Sequence, residues 1–283
     1  MPPMRILMTG ASGMLGRATI ALLGSDRPET VGHKDLLARR EEGVRELFRR
    51  TRPDVVLHFA AMTAVDACET SPEEARLANT ELTRLVAVGC ATVGSRLVYP
   101  STDYIFDGLL DRPYKEGDLP LPLSVYGRTK LEGERHALGL GDRGLVVRSS
   151  WIYGKGGGGK ASFVDRILQR ARTLPELRVV DDQRGRPTFA RHLAGAILWL
   201  VERGQSGVWN ATNTGTCTWR EFAEEILRQA GLATKVVPIT SAELGLPAPR
   251  PVNSVLDLDK LWAEGYTLPH WKDALAEYLA ERT

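Results

Sequence analysis

The chain has 283 residues, 43% hydrophobic and 25% charged, with a net charge of +2. That suits one large α/β domain, or a domain with a smaller lobe, of ordinary soluble composition. The small charge argues against nucleic acid or a membrane surface as partner, and no apolar run approaches the ~20 residues of a bilayer span. Residues 1–5 are too few ahead of the first glycine turn to form a signal peptide. Cys68, Cys90 and Cys217 are scattered, without CxxC spacing or a histidine cluster, which predicts reduced thiols, a cytoplasmic location and no metal site.

In chain order, Arg5–Thr9 reads as a buried parallel strand running into a glycine turn, and residues 14–24 as a helix. A second strand is expected to end around Val31–Asp35, followed by a charged helix near 41–51. Asp54–Ala60 is a strand, 72–94 a long helix opened by Ser71-Pro72, and Arg96–Tyr99 a strand leading into Ser101-Thr102. The proline- and acid-rich stretch 107–123 predicts a surface loop, 124–139 a helix and Leu145–Arg148 a strand. Beyond a glycine-rich loop at 154–160, helices are expected at 162–173, 190–203 and 219–231, a short strand at 177–180, and loop with short strand over 234–256. The alternation predicts a Rossmann-like, doubly wound parallel sheet with a smaller C-terminal lobe. Residues 1–150 would form the dinucleotide-binding domain and 151–283 mainly the substrate lobe, with 177–205 returning to the first.

Gly10, Gly13 and Gly16, with Met14, Leu15 and Arg17, stand where a strand turns into a helix. Glycines there permit a tight turn and let the backbone approach a pyrophosphate at the helix N-terminus. At the ribose end, His33, Lys34 and Arg17 suit the 2′-phosphate of NADP, whereas Asp35 opposes one, so NAD stays open. Gly154–Lys160 matches most of a P-loop but has Ala161 where that motif needs Ser or Thr, and a mobile lid is the better account.

Tyr126 and Lys130 are four apart on a helix and so share one face. A free tyrosine titrates near pH ~10, and a cation one turn away would bring it toward use as an acid. With a nucleotide-binding turn in the same chain, the pair points to carbonyl reduction by hydride transfer.

Several ordered segments carry a resemblance over some 250 residues. They are Ala60-Ala61-Met62-Thr63-Ala64-Val65-Asp66 with Glu69, Ser101–Gly108, Pro122–Glu134, Arg148–Tyr153, Asp182–Thr188, Trp219 with Phe222, and Arg250–Leu256. In these the chain resembles the dTDP-4-dehydrorhamnose reductases, a family of the extended short-chain dehydrogenase/reductase superfamily. The resemblance implies that Tyr126 protonates the C4 oxygen of a dTDP-4-keto sugar as hydride arrives from NAD(P)H. It implies that Lys130 holds the nicotinamide ribose and lowers the Tyr126 pKa, and that Thr102 hydrogen-bonds the reacting oxygen. Ala60, Ala61 and Met62 would line the cofactor site, Asp103 and Trp151 the sugar pocket, and Arg250 would meet the diphosphate.

Two departures stand out. Ser162-Phe163 replaces the family's frequent Asn-Phe, and the positions aligned with glutamates that hold Mg²⁺ between some protomers are Ala18 and Arg191. No structural metal is therefore expected, and a homodimer stays possible without support from the sequence. A related nucleotide-sugar 4-ketoreductase, or an NADP-binding regulatory subunit resembling that of methionine adenosyltransferase, are the alternatives.

Overall fold

The computed structural model of the chain describes residues 4–156 and 161–282. In chain order come β1 (Ile6–Thr9), α1 (Met14–Leu23), β2 (Glu29–Val31), α2 (His33–Thr51), β3 (Val55–His58), α3 (Val65–Thr70) and α4 (Pro72–Ala75). A π-helical turn (Arg76–Glu81) leads into α5 (Leu82–Val93), β4 (Arg96–Thr102), α6 (Val125–Leu138) and β5 (Gly144–Ser149). Then follow β6 (Ile152–Tyr153), α7 (Phe163–Ala171), β7 (Glu176–Val180), β8 (Arg184–Gly185), β9 (Thr188–Phe189) and α8 (Ala190–Glu202). The chain closes with β10 (Gly207–Asn210), β11 (Cys217–Thr218), α9 (Trp219–Gln229), β12 (Lys235–Ile239), α10 (Ser241–Leu244), α11 (Asp259–Ala263) and α12 (Trp271–Ala280).

Six strands form one parallel sheet in the order β10-β5-β4-β3-β1-β2. Its strands are apolar on consecutive residues because both faces are covered. Ile6, Met8, Val55, Leu57, Val98, Leu145 and Val147 meet α8 through Leu193, Ile197 and Leu200. The alternate residues Leu7, Val56, Leu97, Tyr99 and Val146 meet α2 and α5 through Leu47, Phe48, Leu82, Leu85 and Val86. After β2 the chain returns to the other side of β1, so the direction of winding reverses between β1 and β3. In such sheets ligands bind beyond the carboxyl ends of the strands at that reversal.

A second core gathers Tyr153, Val164, Ile167, Leu177, Phe189, Phe222, Ile226, Trp271 and Tyr278. Around it β7 pairs in parallel with β12, β6 with β9, and β8 antiparallel with β11. Of the segment 177–205, β7 lies in this lobe, whereas α8 covers the large sheet and leads into β10 at its edge.

Some elements differ from expectation. The second strand stops at Val31, and the helix expected near 41–51 is the latter half of one that starts at His33 and breaks at Arg40 (φ 53°). Buried Leu36 holds the first part against the sheet as Val44 and Phe48 hold the second. In 234–256 the short strand expected is β12, paired in parallel with β7, and α10 is an added helical turn that the capping box of Thr240 with Glu243 makes available. Positions 157–160 of the glycine-rich segment, Lys160 among them, lie outside the described residues. Among the described residues no helix is long and apolar enough to cross a membrane.

One ion pair fixes α6 to β5. Arg148 donates from Nε (3.0 Å) and Nη2 (2.8 Å) to the two oxygens of Glu134, both side chains being almost wholly buried. Removing one partner of such a pair strands the other charge. Arg148→Met is therefore expected to lose about 3–5 kcal/mol of stability in urea denaturation, and Arg148→Met/Glu134→Leu to regain most of it.

Candidate active site

The glycine turn stands at the reversal point. Gly10 adopts φ +70°, and a Cβ there would meet Ala60 N and Phe59 C at 2.5 Å. Gly13 N donates to Gly10 O (3.0 Å), and a Cβ on Gly16 would lie 2.4 Å from Gly10 O. No side chain caps α1 at Gly13, so its first amide groups face the turn. A close backbone cradle at an uncapped helix start fits a dinucleotide pyrophosphate. The Leu15 side chain packs into the core, leaving its backbone for this role, while Arg17 is exposed. His33 and Lys34 are exposed in the first turn of α2, immediately beyond β2, with Asp35 beside them.

Ala60, Ala61 and Met62 follow β3. Ala60 N donates to Thr9 Oγ1 (3.1 Å) and Met62 N to Asn79 Oδ1 (2.8 Å). Asn79, buried in the π-helical turn, donates in return to Met62 O (3.1 Å) and Thr129 Oγ1 (3.0 Å). It thus ties the β3 loop to the helix that carries Tyr126 and Lys130. His58, fully buried, touches Thr9 Oγ1 (2.7 Å) and Thr83 Oγ1 (3.1 Å). Burial, reinforced by the Lys130 charge, pulls its pKa down to about 3, so the imidazole is neutral. Asn79, His58, Thr9 and Thr83 escaped the sequence reading. The available signal was polar residues inside otherwise apolar strands and a helix, where a buried polar group needs a partner.

Thr102 ends β4 beside Ser149 of β5. Ser124 caps α6 through Gly127 N (3.2 Å), and Glu69 accepts from Val125 N (2.9 Å), which fixes the start of the helix. Gly127 lets that turn pass over the Tyr104 carbonyl, 2.2 Å from where a Cβ would be. This brings the Tyr126 phenol against the Thr102 hydroxyl, with the Tyr126 ring edge-on to Tyr104 (centroids 6.0 Å apart). Lys130, one turn on, is 4% exposed and donates to Pro100 O (2.7 Å), with Nζ 3.9 Å above the Tyr99 ring. Burial pulls its pKa down to about 7, against the raising effect of Glu134. Tyr126 is half-buried, and burial pushes its phenol up, partly offset by the Thr102 hydrogen bond. The acidifying influence expected of Lys130 is thus outweighed here by desolvation of both groups.

Asp103 is 2% exposed and accepts from Thr102 Oγ1 (3.1 Å), while its Oδ2 has no partner among the described residues. Trp151 sits at φ 47°, stacked on Trp219 (centroids 3.6 Å apart) and filling the space where Gly185 lacks a Cβ. Arg250 lies on the lobe side but is already engaged, donating to Asp66 Oδ2 (2.7 Å) and Ala248 O (2.8 Å). Among the described residues no group of three or more His, Cys, Asp or Glu could hold a metal ion, and Arg191 pairs with Glu277 and Glu281.

Burial pushes the Asp103 carboxyl up to about 7, against the lowering influence of the nearby Ser254 hydroxyl and of the Thr102 hydrogen bond. Tyr104 and Tyr126 face it as well, both carrying high phenol pKa values. Asp103 binds its proton more tightly folded than unfolded. The stability it contributes is full below its unfolded pKa of about 4 and is lost as pH rises through about 7. Asp103→Asn is therefore expected to exceed the parent by roughly 2–4 kcal/mol at pH 8 and to lose that advantage by pH 4, in unfolding measured at both pH values. His58, which destabilises the fold as pH falls, is common to both proteins and cancels.

Residues 4–283 match the family model described as RmlD substrate binding domain. The dTDP-4-dehydrorhamnose reductase of Streptomyces griseus is 40% identical, covering 98% of this chain and 93% of that protein. A probable dTDP-4,6-dihydroxy-2-methyloxan-3-one 4-ketoreductase of Streptomyces antibioticus is 39% identical, with 97% and 94% covered. The crystal structure of the Bacillus anthracis dTDP-4-dehydrorhamnose reductase in complex with NADP superposes with a TM-score of 0.91 at 33% identity, covering 98% of this chain and 99% of that one. The chain belongs to the dTDP-4-dehydrorhamnose reductase family.

Proposed function

We propose that this chain reduces the C4 keto group of dTDP-4-dehydro-L-rhamnose with NADPH, giving dTDP-L-rhamnose. The observation that carries the reading is the meeting of Thr102, Tyr126 and Lys130 at the carboxyl end of β4, beside an open glycine turn, in a chain of this family.

Gly10, Gly13 and Gly16 with the first amides of α1 would hold the cofactor diphosphate, Ala60–Met62 its middle, and His33, Lys34 and Arg17 the 2′-phosphate. The bound nicotinamide supplies the hydride. Tyr126 Oη gives its proton to the C4 oxygen, so that a C–H and an O–H bond replace the carbonyl double bond. Thr102 Oγ1 donates to the same oxygen and lowers the cost of its developing charge. The high phenol pKa keeps Tyr126 protonated for this donation, and a charged Lys130 steadies the tyrosinate that results. Asp103 and Trp151 bound the sugar side. The reaction is placed in the cytoplasm, and Cys68, Cys90 and Cys217 are free thiols there.

The 4-ketoreductase relative at nearly the same identity favours one second reading, reduction of a different dTDP-4-keto sugar by the same residues. Product identification by NMR after enzymatic generation of the 4-keto sugar separates the two. Rhamnose supports the first reading, another 4-hydroxy sugar supports the second, and no cofactor oxidation refutes both.

Tyr126→Phe should keep NADPH affinity and lose about 10²–10⁴-fold in kcat, because the ring still packs but the acid is gone. Turnover near that of the parent would remove Tyr126 from the chemistry. Lys34→Ala should lower kcat/KM for NADPH while leaving that for NADH unchanged. An equal effect on both cofactors would place the 2′-phosphate elsewhere.

A further inference from the structure

Arg186 is the residue whose position is hardest to explain by folding alone. It is 8% exposed, and its Nε and Nη1 are buried with no hydrogen-bond partner among the described residues. A guanidinium does not give up its proton in a protein, and an unpaired buried charge costs several kcal/mol. The carboxylates whose charge it feels are Asp257 and Asp259. Neither bonds it, and Asp259 is exposed.

Its backbone is firmly placed. The Arg186 carbonyl accepts from Ser150 Oγ (2.7 Å) and Thr188 Oγ1 (3.2 Å), so the residue is pinned to the carboxyl end of β5. Gly185 before it lies against the Trp151 indole. Three more buried polar atoms at the same end of β5 and β10 lack partners, Ser149 Oγ, Asn210 Oδ1 and Thr212 Oγ1. Two are hydroxyls that can donate to an anion. The other buried arginine of this region, Arg148, is paired with Glu134, and Arg250 with Asp66.

The sheet order decides which anion belongs here. The glycine turn follows β1, and β3 and β4 separate β1 from β5. Three strand spacings make about 14 Å, so the cofactor diphosphate at the turn is out of reach. Thr102, at the end of β4, stands between the two places. An anion beside β5 and the lobe therefore belongs to the second ligand. We propose that Arg186 is the cationic seat for the diphosphate of the nucleotide sugar, the charge that completes it arriving only with substrate. This rests on the reading of the substrate as a dTDP-sugar.

The test is calorimetric binding and thermal unfolding of the parent, Arg186→Met and Arg186→Lys with dTDP, UDP and NADPH. Arg186→Met should melt above the parent without ligand, because an uncompensated buried charge is gone. Its affinity for dTDP should fall about 10- to 100-fold while NADPH binding is unchanged, and Arg186→Lys should keep part of the dTDP affinity. Undiminished dTDP affinity in Arg186→Met overturns the proposal. So does a loss confined to NADPH, or a melting temperature lowered in both variants, which would make the residue structural. If the parent binds UDP and not dTDP, the substrate reading falls, and the same loss of UDP affinity in Arg186→Met upholds Arg186.

Discussion

The ammonium of Lys130 is the constraint on which the catalytic end of this molecule depends. It is held almost out of water with one carbonyl, that of Pro100, and one aromatic face, that of Tyr99, for company. Such a group keeps its charge only where neighbours do not add to it. His58, buried next door, is accordingly neutral and locked between two threonine hydroxyls. Glu134, one turn further along α6, supplies the negative field, and Arg148 in turn neutralises Glu134. Tyr126, Lys130 and Glu134 lie four residues apart on one stripe of α6. The proposed proton donor, the cation and its counter-charge are therefore placed by one rigid element.

Much of this was legible in the chain. Consecutive apolar runs marked the strands, because a parallel sheet covered on both sides needs apolar residues on both faces. The spacing of Tyr126 and Lys130 and the turn from Gly10 to Gly16 are local patterns, and local patterns survive in sequence. What escaped was non-local. β10 reads as Gly-Val-Trp-Asn, too short to stand out, and becomes a strand because β5 offers it an open edge. Asn79 sits inside an ordinary helical stretch, and only the fold brings Met62 and Thr129 to it from 17 and 50 residues away. The pairing of Arg250 is non-local as well. Its partner Asp66 is 184 residues distant and was visible only as part of a motif.

The direction of the pKa shifts follows the same division. Spacing alone said that a lysine near a tyrosine should acidify it. Burial acts on both groups at once, pulling the amine down and pushing the phenol up. A protonated phenol is what a reduction needs at the moment of proton donation, so desolvation and the chemistry point the same way. In the proposed reduction the lysine matters once the proton has left, because a tyrosinate in a dry site is costly without a cation beside it.

The lobe is attached to this machinery by main-chain bonds, by a small apolar cluster of Ile105, Phe106, Tyr114 and Leu256, and by the Arg250–Asp66 pair. Tyr114 exchanges main-chain hydrogen bonds with Val255 and Asp257. Ser254 also reaches Asp103, the residue after Thr102. Main-chain contacts hold register without dictating side chains, so substitutions on the lobe side need not disturb the placement of Thr102, Tyr126 and Lys130. A family whose relatives carry names for different dTDP-keto sugars at similar identity is what such an attachment permits. At position 186 a buried guanidinium whose Nε and Nη1 lack a hydrogen-bond partner among the described residues is held by its backbone at the junction of the two parts.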